Sequence, residues 1–248
     1  MALFLDSLGL SKISENQAEI LNLFADVQSV EGADYNYKTI SYNDGLKLVA
    51  RVIKEGKDTD IIGVDSHIHN NCNWDVTPVM TLGTTTEIPA VVFSSTDSKK
   101  AFIVNLIEAG LSKKVLKENE KTSLQVCGFP TNLAIYENRK DYESKVEGPF
   151  IKDQMLFPYY FYNLQSEDLT EEQKKTYSEN VLFNIYCGEV ISTKKVKFSK
   201  SEDYCYKSMV NTIMGPLELI YSSNIVKNPI KKGNYIVGSV YLSGKLQK

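Results

Sequence analysis

The residues whose types and spacing could support chemistry lie in one short stretch behind an apolar run. Residues 61–64 are Ile-Ile-Gly-Val, and Asp65-x-His67-x-His69 follows directly. Alternate side chains of an extended strand point to the same side, so Asp65, His67 and His69 would share one face. Carboxylate, imidazole and thiolate groups are ligands for divalent metals, and Cys72 follows closely. The pattern therefore predicts a candidate metal site at Asp65, His67, His69 and Cys72, with Asp75 as a further donor.

An apolar strand that ends in Asp-x-His-x-His resembles the first metal-binding strand of the amidohydrolase and TatD-type metal-dependent hydrolases. The resemblance implies a divalent metal and a hydrolytic reaction. Those families draw further histidines and an aspartate from later strands of a (β/α)₈ barrel, but His67 and His69 are the only histidines in this chain. We favour the simpler interpretation, in which both histidines lie on a solvated strand rim that Trp74 anchors in the core.

Other catalytic patterns are missing from the sequence. It contains no G-x-S-x-G elbow, P-loop, G-x-G-x-x-G or H-E-x-x-H motif. A nucleophilic pair could be assembled from Cys127 or Cys72 with either histidine, but no neighbouring residue activates the thiol. We therefore expect a protein that is not an enzyme and that needs no cofactor, with a divalent metal as the less favoured alternative.

The basic residues are almost all lysine and are unevenly distributed. Arg51 and Arg139 are the only arginines among 28 basic residues. Lysine lacks the planar fork with which arginine reads base edges, so any nucleic-acid binding would be weakly sequence-specific. Residues 181–248 contain ten lysines and four acidic residues, whereas the preceding part is net acidic. We favour docking of the two halves on each other as the reason for this difference.

Single-stranded nucleic-acid binding by the basic, tyrosine-rich C-terminal part is the alternative. It would use lysines as phosphate contacts and tyrosines as stacking groups. The candidates are Lys194, Lys195, Lys197, Tyr204, Tyr206, Lys231 and Lys232, with Tyr186, Tyr235 and Tyr241 as further tyrosines.

The order of elements predicts an α+β protein. Residues 1–147 should form an antiparallel sheet packed by a helix from Ser14 to Val27, which has a capping-box start and an apolar stripe. Alternating residues from Leu46 predict a β-hairpin. Residues 178–248 read as four or five short strands punctuated by glycine, the pattern of a small OB-like β-barrel. This part is similar to the C-terminal barrels of uncharacterised two-domain bacterial proteins, a resemblance that implies no activity. We see no internal repeat.

Residues 148–177 are predicted to join the two domains through an aromatic linker and a polar helix. Phe157, Tyr159, Tyr160 and Tyr162 most simply fill the seam between domains, and as a partner-binding patch they would support self-association or a protein partner. The chain has no apolar run long enough for a membrane span, and its first residues lack the basic start and cleavage site expected of a signal peptide. We therefore expect a non-enzymatic binding or assembly protein of the cytoplasm, or of a virion if a phage encodes it.

Overall fold

The chain folds mainly into β-strands. The computed structural model describes residues 4–32, 35–55, 58–82, 90–95, 100–107, 116–117, 119–146, 155–159, 182–226 and 230–247. Strands make up 59% and helices 11% of the structure. The predicted α+β class is therefore wrong. The prediction failed because residues 73–82, for which the sequence predicts no element, form a strand, while the N-terminal helical pattern yields only short helices.

Thirteen strands and a few short helices make up the described part of the chain. The helices are a 3₁₀ helix (Asp6–Leu8), α1 (Ser11–Ser14), α2 (Gln17–Leu23) and α3 (Arg139–Lys145). The first seven strands are β1 (Val30–Glu31), β2 (Asn36–Ser41), β3 (Leu46–Glu55), β4 (Asp58–Ile68), β5 (Asn73–Leu82), β6 (Ala90–Ser95) and β7 (Ala101–Leu106). The remaining strands are β8 (Thr122–Tyr136), β9 (Met155–Pro158), β10 (Phe183–Val196), β11 (Cys205–Thr212), β12 (Gly215–Ser222) and β13 (Tyr235–Leu246).

The first sheet is antiparallel and follows the chain in the order β1, β2, β3, β4. Its β3–β4 hairpin confirms the prediction made from the alternation that starts at Leu46, which lies opposite Ile68. Leu48 of β3 and Val64 of β4 enter one apolar core, which Ile20 of α2 also joins. The sheet and the helix thus bury a common face.

The N-terminal helix differs from the predicted one. A single helix from Ser14 to Val27 was expected, but α1 ends at Ser14 and α2 begins at Gln17. The side chain of Asn16 accepts a hydrogen bond from the Ala18 amide at 3.0 Å. Asparagine in this extended conformation is a strong helix N-cap, so it starts a new helix and excludes a capping box at Ser14.

The second sheet contains nine strands, in the order β11, β12, β8, β5, β6, β7, β13, β10, β9, and β11 pairs also with β10, and β8 with β13. These additional pairings close two rings of hydrogen-bonded strands, called circuits below, and both rings contain β8 and β13. The first circuit runs through β5, β6 and β7, and the second through β10, β11 and β12. Each circuit has one parallel link, β7 with β13 in the first and β12 with β8 in the second. Strands β5–β8 and β10–β13 therefore have the same connectivity, a pseudo-twofold arrangement.

The register across the shared strands supports this correspondence. Cys127 of β8 lies opposite Ser243 of β13. Ser243 pairs on its other side with Asn105 of β7, and Cys127 pairs with Glu218 of β12. The four residues form one row across the sheet, and the pseudo-twofold relation exchanges the two ends of that row.

Two equivalent glycines bring the third strand of each half close to a shared strand. A Cβ atom on Gly128 would lie 2.7 Å from Leu219 Cδ2, and one on Gly244 would lie 2.4 Å from Val104 Cγ1. A side chain at either position would have to displace the buried Leu219 or Val104 side chain, so glycine is favoured there. The sequence analysis missed this repeat, whose signal is the pattern Ser-apolar-x-apolar-small-Gly at residues 123–128 and 239–244.

The bulges of the two halves also correspond. The first strand of each half has a β-bulge where it pairs with the second strand, at Val79 in β5 and at Ile191 in β10. A bulge adds one residue without a pairing partner and turns the strand. Val79 is 43% exposed and Ile191 is 42% exposed, so the extra residue points outward in both halves.

The two faces of the shared β8–β13 ladder contribute to two different cores. Val126 and Leu242 point into the circuits and belong to one apolar core that spans both halves. Cys127, Phe129 and Tyr241 point outward into the second core, which the N-terminal sheet covers. The outer face of the ladder is therefore the seam between the two sheets.

The predicted OB-like barrel of residues 178–248 is wrong as a separate unit. The circuit formed by β10–β13 closes only through β8, which lies far earlier in the chain. Local alternation predicted the C-terminal strands but could not show that a strand from residues 122–136 lies between them. Most of the predicted linker lies outside the described residues, so the domain limits 1–147, 148–177 and 178–248 stay predictions.

Replacing Gly128 by alanine should lower the free energy of unfolding by about 1–3 kcal/mol, because the new Cβ overlaps Leu219. Gly244→Ala should have a similar effect, since the two glycines are equivalent. Urea unfolding followed by Trp74 fluorescence measures both changes. In a double-mutant cycle, Leu219→Ala should relieve part of the cost of Gly128→Ala. Fully additive effects would contradict the close crossing of the strands.

Candidate functional site

Two of the predicted metal-site residues, Asp65 and His67, lie on β4 where this strand crosses the outer face of the shared ladder. Val64 and Ile68 point into the apolar core, and the alternate residues Asp65 and His67 are buried on the other side. His67 is only 1% exposed. The interpretation that placed it on a solvated rim is therefore wrong, because a second sheet covers the strand. His69, two residues further along, is exposed.

His67 makes a hydrogen bond with each of its ring nitrogens. Nδ1 lies 3.1 Å from the Ser243 hydroxyl, and Nε2 lies 3.1 Å from Gln125 Oε1. The same Gln125 oxygen lies 3.0 Å from Nδ1 of His69. One glutamine of β8 thus binds both histidines, and one serine of β13 binds the other ring nitrogen of His67.

These contacts determine the proton positions. The Gln125 amide nitrogen donates to the carbonyl of Asn70 at 2.6 Å, so the amide oxygen must face the histidines. His67 then donates from Nε2 to Gln125, and His69 donates from Nδ1 to the same oxygen. In the neutral form of His67, the remaining nitrogen, Nδ1, accepts from the Ser243 hydroxyl. Neutral His67 therefore satisfies both of its polar atoms within the seam.

Cys127 is the candidate nucleophile beside this histidine, with Sγ 3.5 Å from His67 Nδ1. The structure thus brings together one of the cysteine–histidine pairs that the sequence allowed. Burial raises the pKa of Cys127 to about 12, and the Ile68 amide and the Glu218 carboxylate have smaller effects. A reactive cysteine needs a lowered pKa and access to the substrate. Cys127 is fully buried, so this thiol has neither.

Asp65 belongs to a buried group with Arg51 and Tyr241. The Nε atom of Arg51 lies 3.8 Å from Asp65 Oδ2, and the Tyr241 hydroxyl donates to Asp65 Oδ1 at 3.5 Å. A Cβ atom on Gly63 would lie 2.4 Å from Arg51 Nη2, so glycine provides the space for the guanidinium group. Burial and the Asp65 carboxylate hold the pKa of Tyr241 well above its usual value. The contacts of Asp65 make it part of the seam.

Cys72, the fourth predicted metal ligand, points elsewhere. Its thiol contacts the sulfur of Met209 at 3.6 Å, on β11. Burial raises the pKa of Cys72 to about 11, so the thiol remains protonated at neutral pH. Among the described residues, no group of three or more His, Cys, Asp and Glu side chains is arranged to hold a metal ion. Asp75 is exposed, whereas Trp74 is buried and anchors β5 as predicted.

The predicted nucleic-acid contacts fall into separate places. Lys195 and Lys197 lie beside Tyr204, which is 52% exposed, at the end of the β10–β11 hairpin. Lys194 is exposed on the opposite face of β10, because neighbouring residues of a strand alternate. Tyr206 is half-buried. Tyr186, Tyr235 and Tyr241 are buried in the cores and cannot stack on a base.

The two remaining lysines, Lys231 and Lys232, are exposed in the turn before β13. The next residue, Gly233, donates its amide to the Val190 carbonyl at 2.8 Å. Val190 lies five residues before Lys195 on β10, a separation of roughly 16 Å at the usual rise of a strand. These lysines therefore form a second basic site.

The predicted partner-binding aromatic run is described only in part. Phe157 and Tyr159 are half-buried at the end of β9, and Phe157 lies opposite Ile185 of β10. Tyr160 and Tyr162 lie outside the described residues. Among the described strands, β9 pairs only with β10.

The sequence analysis missed the residues that hold the histidines. Gln125 and Ser243 are single polar residues in otherwise apolar stretches of β8 and β13. A polar residue at a buried position of an alternating strand signals a partner from another element, because it must be hydrogen-bonded. This signal predicts the presence of a partner but cannot identify it.

No protein-family model matches this chain, and no curated protein or solved structure is similar enough to indicate a relative. No helix in the described ranges is long and apolar enough to cross a membrane. The function must therefore be argued from the residues themselves.

His67→Ala should lower the free energy of unfolding by about 2–4 kcal/mol, because it removes the buried hydrogen bonds to Gln125 and Ser243 and opens a cavity. His69→Ala is the matched control at an exposed position and should cost less than about 1 kcal/mol. Urea unfolding of both variants measures the difference. Equal losses would show that the buried contacts of His67 do not stabilise the seam.

The raised pKa of Cys127 predicts a loss of stability in alkaline solution. Above pH 9 the unfolded chain releases the thiol proton, whereas the folded chain keeps it until about pH 12. The stabilising contribution is thus complete below pH 9 and falls by about 1.4 kcal/mol per pH unit above it. Unfolding free energies measured from pH 8 to 11 should fall less steeply in Cys127→Ala. Ser243→Ala, a neighbour that does not titrate, should leave the slope unchanged.

Proposed function

We propose that this chain is a non-enzymatic binding or assembly protein. The observation that carries the proposal is the environment of Cys127 and His67, the most complete catalytic pair among the described residues. The thiol has a pKa of about 12, and both nitrogens of the imidazole are bound by residues of the neighbouring sheet. A substrate would have to separate the two sheets to reach them. The pair thus supports a structural role.

The metal-dependent hydrolase alternative has less support. An ion at Asp65 would have to replace Arg51 and Tyr241, and an ion at His67 would have to replace Gln125 or Ser243. Each replacement leaves a buried polar group without its partner, which costs about 1–3 kcal/mol. We therefore propose that the chain functions without a metal or another cofactor.

The aromatic run at β9 is the proposed surface for self-association or for a protein partner. β9 pairs with β10 and also lies against β7. Aromatic side chains that remain partly exposed supply buried area to contacts between proteins. Phe157 and Tyr159 lie on this strand or next to it and are only half-buried.

A reducing compartment suits the chain. All four cysteines are buried and none is in a disulfide. Proteins that are exported more often join such cysteines in pairs. We propose that the protein acts inside a cell.

Gel filtration with light scattering, combined with elemental analysis of the same sample, tests the proposal. The expected result is a metal-free oligomer that dissociates in the double variant Phe157→Ser, Tyr159→Ser. Tyr204→Ser, which removes an exposed aromatic ring elsewhere, is the matched control and should leave the oligomer intact. A monomer with one equivalent of metal and a hydrolytic activity that His67→Ala abolishes would contradict the proposal.

A further inference from the structure

The end of the β10–β11 hairpin presents an exposed aromatic ring between two cations. Tyr204 is 52% exposed. The ammonium group of Lys195 lies 4.3 Å from the centre of its ring, and that of Lys197 lies 5.6 Å away. Tyr206 lies opposite Lys195 in the register and so points to the same side of the hairpin. The two arms of the hairpin thus place aromatic and cationic groups on one face.

This face continues into the second circuit. Tyr206 stacks on Tyr221 with ring centres 5.6 Å apart and planes 17° apart, and Tyr221 is 1% exposed. The Tyr221 hydroxyl contacts Ser208 at 2.7 Å, and Ser208 contacts Thr193 at 2.8 Å. Tyr221 therefore holds the Tyr206 ring in place. Tyr204 is the exposed end of the row formed by Tyr204, Tyr206 and Tyr221.

The loop that carries this cluster is fixed to the N-terminal part of the chain. Asp44 accepts hydrogen bonds from the amide and the hydroxyl of Ser199, at 2.6 and 2.7 Å. The Glu202 amide donates to the Gly9 carbonyl at 2.9 Å. Gly9 has a φ of 71°, and a Cβ atom there would lie 2.7 Å from the Asp203 carbonyl. An exposed loop that is held in this way loses little conformational entropy when it binds a ligand.

The charge of the hairpin end favours an anion. Residues 194–204 contain four lysines and two acidic residues. Lys207 is neutralised separately, since its ammonium group lies 3.5 Å from the Glu218 carboxylate. The segment contains no arginine, so it can neutralise phosphates as point charges but cannot read base edges with a planar fork.

We propose that the end of the β10–β11 hairpin binds single-stranded nucleic acid. Tyr204 stacks on an unpaired base, and Lys195 and Lys197 contact the phosphates on either side of it. On binding, the Tyr204 ring gives up its contacts with Lys195 and Lys197 and stacks on the base. The two ammonium groups move to the phosphates. The proposal rests on the binding function argued above and assigns it a site and a class of ligand.

The exposed Tyr204 ring favours single-stranded nucleic acid over a duplex and over acidic proteins, which are also polyanions. The bases of a duplex are stacked on each other and do not present a free face to Tyr204, whereas those of a single strand do. An acidic protein would pair with the lysines but would have no planar group for the ring. The combination of one stacking residue and flanking lysines therefore matches a single strand.

Fluorescence anisotropy with a labelled oligothymidine, at a series of salt concentrations, tests the proposal with the full chain. Tyr204→Ala should weaken binding by roughly 5- to 150-fold, the usual range for loss of one stacking contact. Tyr204→Phe keeps the ring and should bind like the unchanged chain. The double variant Lys195→Gln, Lys197→Gln should lower the slope of log affinity against log salt by about 1.4, because two phosphate contacts are lost.

The double variant Lys231→Gln, Lys232→Gln removes the same charge from the other basic site and should leave the slope unchanged. All these positions are exposed, and a thermal melt of each variant checks that it folds. No binding of oligothymidine, or binding that Tyr204→Ala leaves unchanged, would overturn the proposal. Equal affinity for duplex DNA, or Tyr204-dependent binding of polyglutamate instead, would also overturn it.

These outcomes are independent of the test of the proposed function. A metal-free oligomer that does not bind oligothymidine removes the nucleic-acid site alone. A chain with a bound metal and a hydrolytic activity removes the non-enzymatic function, whatever its affinity for nucleic acid.

Discussion

The need to satisfy polar groups on the covered face of β8 and β13 is the constraint on which the structure depends. A buried polar group without a partner costs about 1–3 kcal/mol, and the N-terminal sheet buries several along this face. β4 supplies the partners at alternate residues, with Asp65 beside Tyr241 and His67 between Gln125 and Ser243. A shift of β4 by one residue would put Val64 and Ser66, or Ser66 and Ile68, at the positions of Asp65 and His67, so the polar contacts determine the register between the sheets.

The two halves of the second sheet differ on the face of β8 and β13 that the N-terminal sheet covers. Gly128 and Gly244 are the same residue in both halves, because a buried side chain of the neighbouring strand occupies the space that a Cβ atom would need. Gln125 and Tyr241 occupy equivalent positions yet differ, since β4 offers a histidine to one and a carboxylate to the other. The chemistry that looks catalytic in the sequence therefore lies where the symmetric framework meets the N-terminal sheet. Its groups stabilise the seam, and the exposed groups suited to binding lie at strand ends.

Local patterns in the sequence predicted local structure well. The alternation from Leu46 predicted the β3–β4 hairpin, and the short strands expected in residues 178–248 are present as β10–β13. The patterns failed where partners are distant in the chain. Nothing near Cys127 indicates that it pairs with Ser243, and nothing near His67 indicates that a second sheet covers it. For the same reason Tyr204 and Tyr241 looked equivalent as stacking residues, although one is exposed and the other is buried.

Alkylation of Cys127 in the native protein tests the central claim, that the pair with His67 is a sealed part of the seam. Mass spectrometry after iodoacetamide treatment at neutral pH gives the rate of labelling of this thiol. If the thiol is sealed and protonated, labelling should follow the rate of unfolding and should accelerate with urea. Rapid labelling of the native chain, slowed by His67→Ala, would contradict the claim. It would mean that the histidine activates an accessible thiolate.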